Sequence, residues 1–168
     1  MVHEVDPYRR LKDAFARYAT GVAIATCAPP GRAPAALTVN SFTSVSLNPS
    51  LVLWSLQRSA GAYDAFMAAD NYAISVLRAG QEATSTRFAT RGAESPTREE
   101  FETWATGAPV LRERLAGFDC RISARHDAGD HVILVGEVLQ FDSFGGKPLL
   151  YYASGYATGP DVAKAAAD

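Results

Sequence analysis

The chain has 168 residues, and its 16 Lys and Arg against 18 Asp and Glu give a formal net charge of −2. This length predicts a single domain, and 48% hydrophobic with 20% charged residues is typical of a globular protein. The small negative charge disfavours nucleic-acid binding, which usually needs a basic face. No two of the thirteen glycines stand at G-x-G spacing, so the dinucleotide fingerprint is absent, as is a P-loop.

The first predicted element is a helix that begins near Asp6 and Pro7 and carries an apolar stripe. The stripe consists of Leu11, Ala14, Phe15 and Tyr18. Two further helices are predicted over 60–69 and 81–90, followed by a loop over 91–97 and a turn of helix over 98–103.

Seven short strands are predicted from apolar and alternating runs. They cover 22–27, 35–39, 51–56, 72–77, 118–125, 131–141 and 149–152, with Gly136 as a bulge. The run 51–56 is apolar enough to be buried on both faces. Tight turns between neighbours favour antiparallel pairing, and a small closed barrel would remove the sheet edges. The Ala-rich tail is predicted to be disordered over 159–168.

The residue types that usually carry catalysis give no motif in this chain. Cys27 and Cys120 lie in apolar runs and are predicted to be buried thiols, since no C-x-x-C accompanies them. The His residues are too scattered to predict a metal site, and no G-x-S-x-G is present. The acidic pairs at 99–100 and at 127 and 130 are predicted to be solvated.

The segment 38–46 is the richest in side-chain hydrogen-bonding groups and is predicted to be a loop. Its hydroxyl and backbone N–H groups could bind a phosphate or a polar ring edge, or the loop could bond only to itself. Downstream, Ser59 could cap the following helix, whose start would attract an anion, or it could serve as an ordinary cap. Arg58, Arg87 and Arg91 could also meet an anion, because the Arg fork suits phosphate.

Several segments in order resemble one family, the short-chain flavin reductases, which have the flavin-reductase-like FMN-binding split-barrel fold. The segments read YATGV at 18–22, LTVNSFTSVSLNP at 37–49, LVLWSLQRS at 51–59, FA at 88–89, GAPVL at 107–111, GDHVILVGEV at 129–138, PLLYY at 148–152 and GY at 155–156. The resemblance covers about residues 7–158 and makes 1–168 a single domain.

The resemblance implies a mainly β fold, a six-stranded antiparallel Greek-key split β-barrel with a few flanking helices, that forms a homodimer. It also implies an NAD(P)H:flavin oxidoreductase that reduces FMN or FAD and supplies the reduced flavin to a separate oxygenase. By resemblance the flavin-contacting positions are Thr38, Val39, Asn40, Ser41, Ser44, Val45, Ser46, Ser55, Leu56, Gln57, Ser59, Ala60 and Phe88. His131 and Tyr156 are the implied substrate-binding positions, with His131 near the nicotinamide.

The chain departs from the family pattern at Glu100, which stands before Phe101 where the family usually has Lys. Two other functions remain open on the same barrel: a non-catalytic flavin-binding or sensor protein, and an oxidase of a small amine. No metal is implied, since hydride passes directly between the two cofactors. With no apolar run near 20 residues and a polar N-terminus, the chain is predicted to be cytoplasmic.

Overall fold

The computed structural model describes residues 6–161, which contain three helices and twelve strands. The helices are α1 (Arg9–Phe15), α2 (Tyr63–Ala68) and α3 (Glu82–Ala89). The strands are β1 (Thr20–Gly21), β2 (Ala23–Cys27), β3 (Ala35–Val39), β4 (Thr43–Leu47), β5 (Ser50–Gln57), β6 (Asn71–Val76), β7 (Phe101–Thr103), β8 (Pro109–Leu111), β9 (Ala116–Ala128), β10 (His131–Ser143), β11 (Leu149–Tyr152) and β12 (Gly155–Thr158).

The main sheet has seven antiparallel strands in the order β3-β2-β6-β9-β10-β5-β4. Its two edge strands, β3 and β4, are consecutive in the chain and are joined only by residues 40–42. A flat sheet of seven strands would hold its edges about 29 Å apart, whereas the step from Val39 to Thr43 reaches about 14 Å at most. The sheet therefore has to curl until its two edges approach each other.

Two smaller sheets complete the fold, one formed by β1, β11 and β12 and the other by the hairpin of β7 and β8. The mainly β class is confirmed, but the main sheet has seven strands where the resemblance implied six. The main sheet includes β4, which lies mostly in the segment predicted to be a loop and pairs with β5. The predicted turn of helix over 98–103 is also wrong at its end, where Phe101–Thr103 forms β7.

The interior of the curled sheet is filled by a cluster of large side chains centred on Trp54, Phe66 and Tyr72. The Trp54 ring meets the other two edge-on, with centroids 4.9 Å from Phe66 and 5.9 Å from Tyr72. The buried thiols of Cys27 and Cys120, as predicted, are part of the same cluster. Burial raises the pKa of each thiol to about 12, so both are neutral small hydrophobic groups at pH 7.

A second cluster covers the outer face of β2 and is built around Ile24, Leu77, Phe88 and Phe101. Phe88 of α3 and Phe101 of β7 meet edge-on, with ring centroids 5.9 Å apart. Strand β2 is consequently buried at all five positions. By contrast, β5 alternates between buried and half-buried residues, so the prediction that it is buried on both faces is wrong.

The β7–β8 hairpin is held to the sheet by Arg114, whose side chain is only 4% exposed. Its guanidinium pairs with Glu102 of β7 at 2.9 Å and with Asp142 of β10, and it lies over the ring of Trp104. The alternation of β9 predicts a polar outer face, yet Asp119 on that face is fully buried. Its carboxylate accepts hydrogen bonds from the N–H group (2.9 Å) and the hydroxyl of Thr106, which satisfies the buried charge.

Helix α1 begins at Arg9, after the Asp6 carboxylate has accepted a hydrogen bond from the N–H of Tyr8 at 2.9 Å. No residue of the helix is buried, so its predicted apolar stripe faces solvent in the single chain. At the other end, Gly159 is buried and donates its N–H to Pro148 at 2.9 Å. Of the tail predicted to be disordered, 159–168, residues 162–168 lie outside the described part of the chain.

The predicted bulge at Gly136 is confirmed, because the pairing of β10 with β9 shifts register between Val135 and Gly136. A methyl group at Gly136 would stand 2.7 Å from Cζ of Tyr72, closer still to its hydroxyl, and 2.9 Å from Cβ of Cys120. These are rigid groups of the interior cluster, so the strand cannot accept a side chain there without shifting.

We expect Gly136→Ala to lower the free energy of unfolding by about 1–3 kcal/mol, as overpacking of a closed core does. Urea denaturation followed by tryptophan fluorescence measures the change. Gly145→Ala is the matched control, because a methyl group there meets no atom within 4 Å. Equal stability of the two variants would contradict the close packing of Gly136 against Tyr72.

Candidate functional site

Two grooves open along the stretch that runs from β3 into β4, one beside residues 39–43 and the other beside residues 34–37. Groove A, of about 1070 Å³, lies between α1, β1 and residues 39–43, with Tyr151 on a further wall. Groove B, of about 660 Å³, lies between residues 34–37, the turn after β5, and the end of α3 with the loop that follows it. Both are comparable with small-molecule sites, which commonly measure about 300–1,000 Å³.

The residues predicted to contact a cofactor divide between the two grooves. Val39, Asn40 and Ser41 line groove A. Four others line groove B: Gln57, Ser59, Ala60 and Phe88. The division follows from the chain path, because β3 passes groove B first and reaches groove A at its end.

Thr38 stands between the two grooves and is fixed by a short chain of hydrogen bonds. Its hydroxyl donates to the carbonyl oxygen of Ser85 at 2.6 Å, and the Ser85 hydroxyl lies 2.8 Å from the hydroxyl of Tyr156. The ring of Tyr156 meets Tyr151, which lines groove A, with centroids 5.6 Å apart. Tyr156 is thereby tied to the site through α3, and Ser85 is a member that the sequence patterns did not single out.

The hydroxyl groups after Thr38 are largely engaged within the protein. Ser41 accepts the N–H of Ser55 at 3.0 Å and so continues the contact with β5 ahead of the start of β4. Ser46 accepts the N–H of Asn48 at 3.2 Å. Both hydroxyl groups therefore bond to backbone outside the segment 38–46, one to β5 and the other to the turn after β4.

The other six predicted flavin-contacting residues line neither groove: Thr38, Ser44, Val45, Ser46, Ser55 and Leu56. Ser44 and Val45 are exposed on the edge strand β4. The pairing of β4 with β5 skips a residue between Ser44 and Ser46, which leaves Val45 without a cross-strand partner. The Leu56 side chain belongs to the buried interior cluster, so only its backbone could meet a ligand.

His131 begins β10 directly opposite Gln57, the residue that ends β5 beside groove B. Its Nδ1 atom lies 2.8 Å from Oδ1 of Asp130, and this hydrogen bond holds the pKa of the Asp130 carboxyl below its usual value. The pairing brings His131 to the same end of the sheet as groove B.

Arg58 fixes this end of the sheet from the adjacent turn. Its N–H donates to the carbonyl oxygen of Asp130 at 2.9 Å, and its guanidinium donates to Tyr63 at 3.0 Å and forms an ion pair with Asp127. The hydrogen bond with Asp127 raises the pKa of Arg58. Asp127 and Asp130 are both exposed, as predicted for solvated acids.

The predicted helix cap at Ser59 is wrong. Helix α2 begins at Tyr63, four residues later, and Ala62 precedes it without a capping side chain. The six-residue helix is too short for its start to act as an anion site, so the contribution of Ser59 is its place on the wall of groove B.

The loop after α3 contributes more to groove B than the sequence patterns indicated, since residues 91–95 all line it. Arg91, which the sequence offers only as one of three arginines able to meet an anion, lies on this wall. No group of three or more His, Cys, Asp or Glu able to hold a metal occurs within residues 6–161. Over the same residues, no helix is long and apolar enough to cross a membrane.

Comparison with known proteins extends over nearly the whole chain. The sequence profile of the family described as "Flavin reductase like domain" matches residues 15–160. "FMN reductase (NADH) SmoA" of Agrobacterium fabrum (strain C58) is 44% identical over 143 residues, which are 85% of this chain and 81% of that protein. "NADH-dependent flavin reductase" of a Rhodococcus species is 38% identical over 155 residues, 91% of this chain and 86% of that protein.

A solved structure described as "BorF, the Flavin Reductase Component of a Bacterial Two-Component Tryptophan Halogenase" superposes with a TM-score of 0.85. The two chains are 34% identical, and the match covers 92% of this chain and 99% of the other. With a family profile matched over most of its length and relatives well above 30% identity, the chain belongs to the flavin reductase like domain family.

Proposed function

We propose that this protein is an NAD(P)H-dependent flavin reductase that delivers reduced FMN or FAD to a separate oxygenase component. The observation that carries the proposal is the meeting of seven predicted flavin-contacting residues along two adjoining grooves. The relatives named as NADH-dependent flavin and FMN reductases, and the solved reductase component of a two-component system, support the same activity.

The residues present fit a flavin, which needs an apolar wall for its rings and polar groups for their edges and for its phosphate. Leu37 and Ala60 supply apolar surface in groove B, while Gln57 and Ser59 supply polar groups beside it. Asn40 is exposed at the wall of groove A, where its amide can bond to a ligand. When bound, the flavin supplies the hydride-accepting chemistry, so the protein needs no nucleophile or metal.

What this chain contributes is orientation and the exclusion of water from the reacting rings. Gln57 and His131 form a cross-strand pair at one end of the sheet. Thr38 of β3, Ser85 of α3 and Tyr156 of β12 form a hydrogen-bonded series. We assign His131 and Tyr156 to the nicotinamide, and the residues that line the two grooves to the flavin.

Steady-state kinetics with NADH or NADPH and with free FMN or FAD test the activity. We expect flavin-dependent loss of the near-ultraviolet absorbance of the reduced nicotinamide in at least one of the four combinations. No turnover in any combination, together with tight retention of flavin, would instead favour the non-catalytic flavin-binding protein. Oxidation of a small amine without NAD(P)H would favour the oxidase.

The proposed role of His131 gives a second prediction. His131→Ala should raise the KM for NADH about tenfold, as loss of one hydrogen bond to a charged or polar ligand group does, and leave the flavin Kd within twofold. His126→Ala is the matched control, because His126 is an exposed histidine on the neighbouring strand β9. Equal losses of NADH use and flavin binding would contradict the assignment.

The finer features of the proposal are a split barrel closed by the curled sheet, a homodimer and a cytoplasmic location. The dimer is supported by four large side chains in and beside α1 that face solvent: Tyr8 (63% exposed), Leu11 (50%), Phe15 (68%) and Tyr18 (80%). Exposed apolar surface of this extent on one element favours a protein contact, and a second copy would also cover the open side of groove A.

We expect the protein to elute with twice the mass of one chain in size-exclusion chromatography with light scattering. Leu11→Glu should shift it towards the monomer, because a carboxylate would be buried in the interface. Leu11 does not line groove A, so the change leaves the groove itself intact. Arg10→Glu, on the exposed polar side of the same helix, is the control. A monomeric parent protein would contradict the dimer.

A further inference from the structure

The segment from Arg87 to Glu100 carries one wall of groove B. Residues 88–95 line the groove, and the segment begins on α3 and ends just before β7. The opposite walls come from β3 and from the turn after β5, which belong to the main sheet. The shape of groove B therefore depends on how firmly this segment is held against the rest of the fold.

The two ends of the segment are joined by an ion pair. Nη1 of Arg87 lies 2.6 Å from Oε1 of Glu100, and both side chains are half-buried, with 31% and 39% exposed. The second carboxylate oxygen of Glu100 accepts the hydroxyl of Thr97 at 3.0 Å. The Arg87 guanidinium also lies over the ring of Phe88, 4.6 Å from its centroid. We call Arg87, Thr97 and Glu100 the clasp.

Arg91 lies inside the segment that the clasp closes, and it reaches across to the opposite wall. Its Nη2 atom donates to the carbonyl oxygen of Ser59 at 3.2 Å. A methyl group at Gly61 would stand 3.5 Å from Cγ of Arg91, so the side chain runs along the turn that follows β5. A guanidinium has five N–H donors, and the contact with Ser59 is the one side-chain hydrogen bond that Arg91 makes among the described residues.

Three other cations near the two grooves are paired with carboxylates. Lys12, on the wall of groove A, pairs with Asp6 at 2.8 Å. Arg58 pairs with Asp127, and Arg87 pairs with Glu100. Among the residues that line groove B, Arg91 carries the single positive charge and Glu94, three positions further along the same loop, carries the single negative charge.

We propose that Arg91 binds the phosphate of a phosphorylated flavin in groove B, and that the Arg87–Thr97–Glu100 clasp holds Arg91 in place to do so. The proposal rests on the proposed function, which puts a flavin in this groove. The groove then selects flavin nucleotides over riboflavin, because riboflavin offers no anion to the guanidinium. Arg91 is the binding residue, and the clasp residues are positioning residues.

The experiment compares FMN with riboflavin, which have the same ring and differ in the phosphate. Quenching of flavin fluorescence measures the Kd of each flavin for the parent protein and for Arg91→Gln. We expect the variant to bind FMN about tenfold more weakly, as loss of a charge-assisted hydrogen bond at an exposed site does, and to bind riboflavin within twofold of the parent. Arg121→Gln is the matched control, since Arg121 is an exposed arginine that pairs with Glu137 on the main sheet.

The clasp is tested by the same pair of ligands and by hydrogen exchange over residues 90–97. We expect Glu100→Gln to weaken FMN binding about threefold to fivefold, to leave riboflavin nearly unchanged and to speed amide exchange in this loop. The double variant Arg87→Glu with Glu100→Arg restores the ion pair and should recover most of the FMN affinity. Glu137→Gln, which breaks the remote pair with Arg121, should change none of these quantities.

Each outcome decides one part of the proposal. Equal loss of FMN and riboflavin in Arg91→Gln, or no loss of either, overturns the phosphate contact. Unchanged FMN binding and loop exchange in Glu100→Gln overturn the positioning role of the clasp. A parent protein that binds neither flavin overturns the proposed function itself, whereas equal affinity for both flavins overturns only the role of Arg91.

Discussion

The short connection between β3 and β4 is the constraint on which the rest of the structure depends. Because only residues 40–42 separate the two edge strands, the seven-stranded sheet has to curl. Curling gives the sheet an interior, which is filled by large side chains such as Trp54 and Tyr72. It also brings the first residues of β3 beside the turn after β5, so that two grooves open along one continuous stretch of chain.

Curling leaves the outer face of the central strands to be covered by other elements. The run of buried residues on β2 needs apolar contacts on both sides, and the outer contacts come from α3 and the β7–β8 hairpin. The hairpin in turn depends on the buried Arg114 side chain, which joins Glu102 to Asp142. Helix α3 covers the sheet and also ends at the wall of groove B, so stability and site geometry are linked through the contact of Phe88 with Phe101.

The sequence predicts those parts of the fold whose residues are chosen by burial alone. The strands at 35–39 and 149–152 and the start of β10 at His131 follow directly from apolar alternation and turn residues. Strand β4 was missed because its serines and threonines read as a loop, whereas its pairing with β5 is a long-range contact. The exposure of the α1 stripe was equally unpredictable, since the helical spacing indicates an apolar face without saying what covers it.

The resemblance names residues for the candidate site but does not give their arrangement. The resemblance selects positions near β3 and β5, but their division between two grooves follows from the path of the chain. Arg91 and Ser85 become notable only when α3 packs beside β3. A chain without a glycine-rich phosphate loop has to obtain its nucleotide contacts from strand ends and from a loop fixed by side chains. Because such contacts depend on a clasp between distant residues, they leave no contiguous motif in the sequence, and the structure is needed to find them.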